Sequence, residues 1–99
     1  MPQVLTIEDD EITAREIVAE LNSHSIDVDW VASGRQGLTK ALQARYDAIT
    51  LDRMLPDIDG LTIVTAMREA GVQTPVLMIS ALSDVDELDK AIRFLLVDG

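Results

Sequence analysis

The chain is predicted to fold as an α/β domain, a doubly wound parallel sheet with helices on both faces. Two observations predict this. Short β-like runs alternate with amphipathic helical segments in the order β-α-β-α-β-α-β-α. Apolar residues make up 47% of the 99 residues, enough to supply a real but small core. Strands alternating with helices of about 10–15 residues require right-handed crossovers, which leave the strands parallel and cover both faces.

Each element has its own justification. "QVLTI", Gln3 to Ile7, is a short β-like run. From Asp10 the apolar spacing becomes helical, with Ile12, Ile17, Val18 and Leu21 on one stripe and Glu16 and Glu20 outside it. "NSHS" ends that helix, and "DVDWV", Asp27 to Val31, alternates like a strand. Ser33 is the expected N-cap of the next helix, whose apolar face is Leu38, Ala41 and Leu42. "YDAITL" forms a third strand ending at Asp52. Asp59 can cap the start of the following helix and Gly71 its end. Val76 to Ser80 is a continuous apolar run, expected to be a strand buried on both faces. "DVDELDKAIRFLL" closes the series as an amphipathic helix with Val85, Leu88, Ile92 and Leu95 on one side.

Composition excludes several function classes. No cysteine is present, which removes disulfides, thiolate catalysis and Cys-ligated zinc and suits a reducing cytoplasm. No apolar run approaches the roughly 18 residues needed to span a bilayer, and the N-terminus lacks a signal-peptide pattern. The net charge of −10 argues against direct nucleic-acid binding by this chain and favours cations or a basic partner surface.

In a doubly wound sheet, ligands bind beyond the carboxyl ends of the strands, where the winding reverses. Strand one ends at "EDDE", Glu8 to Glu11, strand three at Asp52, and strand four at Ser80. If those strands are neighbours, three acidic or hydroxyl-bearing ends converge on one rim. Two carboxylates about 4 Å apart repel by roughly 4 kcal/mol at an effective dielectric near 20. A hard divalent cation with oxygen ligands resolves that conflict, and magnesium suits a site that leaves positions to water and phosphate. For "EDDE" alone, capping of a helix N-terminus is an equal reading. "DIDG" is not an EF-hand loop, because Leu55 and Ala66 stand where ligands are required.

With those residues in view, the chain strongly resembles the receiver domain of bacterial two-component response regulators. The carriers are "TIEDDE", "ITLDRMLPDIDGL" and "PVLMISAL", and the resemblance runs from Val4 to about Glu87. The "D-x-M-L-P-x-x-x-G" run looks most like receivers that precede a winged-helix DNA-binding domain. The resemblance implies a flavodoxin-like fold over residues 1–99 with strand order 2-1-3-4-5. It makes Asp52 the phosphoacceptor and Asp9 a direct magnesium ligand, with Glu8 acting through the metal's water shell and the backbone carbonyl of Met54 as a further ligand. Ser80 becomes the switch hydroxyl. Pro56 and Gly60 shape the loop and helix entry, while Asp57 and Asp59 are turn or cap residues. The implied partner is a sensor histidine kinase, and the chain is a self-phosphorylating signalling domain in place of a conventional enzyme.

The resemblance also sets expectations for the end of the chain. The family's fifth strand, its lysine and its fifth helix would lie beyond Gly99, so a C-terminally shortened receiver is expected, with weak phosphoryl transfer. The apolar "FLLV", Phe94 to Val97, suggests a homodimer through the C-terminal region. The alternative reading is a non-catalytic dimerisation or kinase-binding module. Lys90 is a mid-helix residue that does not substitute for the family lysine. His24 is expected at the surface, and Trp30 as half-buried packing.

Overall fold

The computed structural model describes residues 1–79 together with Lys90, Ile92 and Arg93. The elements are β1 (Gln3–Ile7), α1 (Glu11–Ser23), β2 (Asp27–Val31), α2 (Gly34–Gln43), β3 (Ala48–Asp52), α3 (Gly60–Glu69) and β4 (Val76–Ile79). Lys90, Ile92 and Arg93 are helical. The rest of the expected fourth helix, Ser80 and the Phe94–Val97 run lie outside the described residues.

The four strands form one parallel sheet in the order β2-β1-β3-β4. The chain first winds outward from β1 to β2, then crosses back to β3 on the other side of β1. The switch point therefore lies between the carboxyl ends of β1 and β3, which is where a ligand site is expected.

Alternation along the strands sorts the core into two layers. Val4 and Ala48 point to one face and pack with Ile17 and Leu21 of α1 and with Ile26, Ile79 and Ile92. Leu5, Ile7, Ile49 and Leu51 point to the other and pack with Ala41 of α2 and Ile63 and Met67 of α3. Each fully buried aliphatic side chain contributes about 1.5–3 kcal/mol, so both helix layers are held mainly by these strand residues.

Three sequence expectations need correction. Ile12 is 67% exposed, because the buried stripe of α1 is Ala14, Ile17 and Leu21. At 3.6 residues per turn Ile12 sits roughly 200° around the helix from Ala14. Leu42 is 45% exposed, and α2 buries Gly34, Gly37 and Ala41 in its place. β4 is not buried on both faces: Val76, Leu77 and Met78 are partly exposed and only Ile79 is buried. It is an edge strand among the described residues, so one side lacks a covering neighbour.

Glycines on α2 let that helix sit directly on the sheet. A Cβ on Gly37 would come within 2.4 Å of Ile7 Cδ1, 2.6 Å of Cγ1 and 2.9 Å of Cγ2. Ile7 is fully buried and cannot swing away. Gly37→Ala gains about 1 kcal/mol of helix propensity but overpacks the core by about 1–3 kcal/mol. We expect a net loss of about 1 kcal/mol in urea unfolding; a stabilised variant would show that α2 does not rest on Ile7.

Helix ends follow local chemistry. Asp10 caps α1 by accepting from Thr13 N at 3.0 Å, and Ser33 caps α2 by accepting from Gln36 N at 3.1 Å. Asp59 occupies the N-cap position of α3 as expected, but its side chain makes no capping hydrogen bond. Gly71, with φ +84°, follows α3 in the left-handed conformation that favours glycine.

Candidate functional site

Register builds the site. Thr6 lies opposite Thr50 and Ile7 opposite Leu51 in the β1–β3 pairing. One further step sets Glu8 opposite Asp52. By the two-residue period these acids share a face with Thr6 and Thr50, which are buried and joined by a Thr50 Oγ1–Thr6 Oγ1 hydrogen bond of 2.9 Å.

Glu8, Asp9 and Asp52 each bring a carboxylate oxygen to within 4.8 Å of the others. Glu8 is buried at 5% exposure, Asp52 is partly buried and Asp9 is exposed. Burial, followed by the neighbouring Asp52, raises the Glu8 pKa from 4.5 to about 8. Loss of solvation and Asp52 also raise the pKa of Asp9. The site resists collecting three negative charges, which is the electrostatic signature of a cation pocket. The donor set is all oxygen and open on the Asp9 side, so it fits a hard divalent ion that keeps waters, as magnesium does.

The four residues of "EDDE" divide into two roles. Glu8 and Asp9 enter the pocket. Asp10 takes the cap, also accepting from Thr13 Oγ1 at 2.6 Å, and Glu11 pairs with Arg15 on the exposed face of α1. The metal and capping readings thus apply to different residues of one run. Asp10 N donates to Glu8 Oε2 at 3.1 Å, tying the cap to the pocket.

On the opposite side of the pocket, Met54 N donates to Asp52 Oδ1 at 3.0 Å and fixes the carboxylate plane. Gly60 opens α3 without a side chain because a Cβ there would lie 2.7 Å from Met78 Cε and 3.5 Å from the Asp52 carbonyl. Pro56 is exposed in the intervening loop. Arg53 is exposed beside the pocket. Ser80 follows Ile79, the β4 partner of Asp52 in register, but lies outside the described residues.

Two contacts had no sequence signal. Trp30 is 37% exposed, yet its Nε1–H donates to the Glu8 carbonyl at 2.8 Å. Asp57 is more than a turn residue: Oδ1 accepts from Gly34 N at 2.9 Å and Oδ2 from Arg35 N at 3.0 Å. These bonds hold its pKa below the usual carboxylate range. His24 lies at the surface near Glu20, away from the pocket.

In a doubly wound parallel domain the switch point is where ligands bind, and here it carries a carboxylate pocket suited to a cation. The comparisons make the family specific. A family model described as the response regulator receiver domain matches residues 4–98, and the chain belongs to that family. It is 44% identical over 84 residues to response regulator ArlR of Staphylococcus saprophyticus, covering 85% of this chain and 38% of that protein. It is 37% identical over 93 residues to transcriptional regulatory protein PcoR of Escherichia coli, covering 94% of this chain and 41% of that protein. The chain thus spans less than half the length of these relatives. Among solved structures, the Francisella response regulator 1452 receiver domain superposes with TM-score 0.78 at 29% identity, covering 90% of this chain and 77% of that one. The receiver domain of sensor histidine kinase PA1611 of Pseudomonas aeruginosa, solved with magnesium in its active-site cleft, gives TM-score 0.75 at 32% identity, covering 91% of this chain and 78% of that one. The fold is therefore the flavodoxin-like receiver fold.

Proposed function

We propose that this receiver accepts a phosphoryl group from a histidine kinase onto Asp52, with magnesium held by Glu8, Asp9 and Asp52. The observation that carries this reading is the convergence of those three carboxylates within 4.8 Å at the β1–β3 switch point. Asp9 and Asp52 would ligate the metal directly, Glu8 through its water shell, and the backbone carbonyl of Met54 would complete the protein's share.

An Asp52 carboxylate oxygen attacks the phosphorus of a phosphohistidine. The O–P bond forms as the N–P bond breaks, and the imidazole nitrogen leaves with its electron pair. Magnesium held by these residues would supply neutralisation of the negative charge gathered at the site. The Met54 N–H holds Oδ1 and keeps the carboxylate aimed during approach. Pro56 and Gly60 shape the loop that carries this amide. Ser80 is the hydroxyl assigned to the phosphorylated state, where a new hydrogen bond would bias an output surface. Any catalysis is confined to the domain's own phosphoryl uptake and loss.

A cytoplasmic location accords with this partner, and no described helix is long and apolar enough to cross a membrane. The name of the relative PcoR, a transcriptional regulatory protein, supports a role in transcription regulation. A homodimer through the C-terminal region would have to use residues other than Ile92, which is buried within the chain.

Incubation with a small phosphodonor and magnesium, read by intact mass, tests the proposal. We expect a gain of one phosphoryl group that is lost with chelator and absent from Asp52→Asn. Uptake that persists in Asp52→Asn would overturn the assignment.

A further inference from the structure

The acidic pocket is built from two separate arms, Glu8–Asp9 after β1 and Asp52–Met54 after β3. Neither arm is covalently close to the other, yet their spacing decides whether three carboxylates can share one ion. Both are gripped by the same short segment, which joins the end of β2 to the start of α2. At its start, Val31 O accepts from Glu8 N at 3.1 Å and Trp30 Nε1–H donates to Glu8 O at 2.8 Å. The Glu8 peptide is thereby held at both its amide and its carbonyl. At its end, Gly34 N and Arg35 N donate to the two oxygens of Asp57, in the loop that follows Asp52. The docking is close: a Cβ on Gly34 would lie 2.1 Å from Ile58 Cγ2 and 3.1 Å from Asp57 Oδ1. Ser33, the N-cap, satisfies the next amide of the helix, that of Gln36, so the first turn of α2 is bound by its own cap and by Asp57.

We infer that the segment Trp30 to Arg35, which runs from the end of β2 through the turn into α2, is the positioning element of the acidic pocket. It contributes no ligand. The β1–β3 register brings the arms side by side, and this segment holds the orientation of each, with Trp30 as the positioning residue for Glu8 and Asp57 as the positioning residue for the Asp52 loop. The inference rests on the pocket being the metal and phosphoacceptor site, but its geometric content can be read without metal.

Two backbone amides report the carboxylates themselves. Asp10 N donates to Glu8 Oε2 and Met54 N to Asp52 Oδ1. Solvent exchange of these amides, measured by NMR on the metal-free chain, gives the first readout. Trp30→Phe keeps an aromatic ring but loses the pyrrole ring with its N–H donor; we expect faster exchange at Asp10 by at least about threefold and little change at Met54. Asp57→Ala should do the reverse. Asp57→Asn, which keeps one acceptor oxygen, should recover part of the protection at Met54. Magnesium titration by calorimetry is the second readout, with the dissociation constant rising about three- to tenfold in Trp30→Phe and Asp57→Ala and less in Asp57→Asn. A purely structural role would lower the melting temperature and leave the constant unchanged. Unaltered Asp10 and Met54 amides in folded Trp30→Phe and Asp57→Ala would overturn the inference, as would altered amides with unaltered magnesium affinity. Should the parent chain bind no magnesium while both amides respond as described, the positioning role stands and the metal-site reading fails.

Discussion

Without divalent metal, the domain is expected to be more stable at pH 5 than at pH 8, and magnesium is expected to cancel most of the difference. Glu8 has an ordinary pKa of 4.5 and a folded value of about 8. Below pH 4.5 both states hold the proton and the group costs nothing. Between those values the unfolded chain releases a proton that the folded chain retains, so stability falls as pH rises, and the loss saturates above about 8. Asp9 is shifted in the same direction. The folded carboxylates are only partly screened from water, so a loss of about 1–3 kcal/mol is expected, well short of the full linkage value.

The pH window is clean of the other shifted groups. Asp10, Asp29 and Asp57 have lowered pKa values, so their contribution is lost only in acid below about pH 4. Tyr46 is pushed to about 12 by burial and by its bond to Asp29. Glu8→Gln removes the ionisable group from the pocket. It should flatten the profile between pH 5 and 8, stabilise the metal-free chain at pH 8 and weaken stabilisation by magnesium. For the parent chain, a ligand at about 100 times its dissociation constant adds about 2.7 kcal/mol. Urea unfolding at both pH values, with chelator or with magnesium, checks each statement. A metal-free stability that is flat or rising from pH 5 to pH 8 would remove the argument for a strained acidic pocket.

The same pocket explains what could be read from the chain and what could not. Short β-like runs marked β1 and β3, and acids at their ends fell on one rim because parallel strands share their carboxyl ends. Those signals are local in sequence. The division of labour within "EDDE" was not local. It depends on the β1–β3 pairing, which sets Glu8 beside Asp52, while Asp10, extended at φ −84° and ψ 115°, turns the chain into α1. The bonds of Trp30 and Asp57 join residues 22 and 23 positions apart, with no periodicity to announce them. Ile12 and Leu42 misled because apolar identity was read as burial. On α2 the expected Leu38 and Ala41 do meet the core, and Gly34 and Gly37 join them, where the approach to Ile58 and Ile7 leaves no room for a side chain.

Two isoleucines separate burial from composition in the sharpest way. Ile92→Ala should cost about 2–5 kcal/mol, whereas Ile12→Ala should change stability by no more than about 0.5 kcal/mol. The chemistry removed is identical. Ile92 is 3% exposed and packs with Val4, Ile17, Leu21, Ile26, Ala48 and Ile79 on the α1 face, while Ile12 is 67% exposed. Truncation at Ile92 opens a cavity in the core cluster on the α1 side of the sheet, and the loss is a large fraction of the 5–15 kcal/mol typical of a whole domain. Because the contact lies within one chain, the destabilisation should be independent of protein concentration. Urea unfolding of both variants at two concentrations a hundredfold apart provides the measurement. An Ile92 variant as mild as the Ile12 variant would remove this residue from the core. A loss that grows on dilution would mean that the face is instead covered by a second copy.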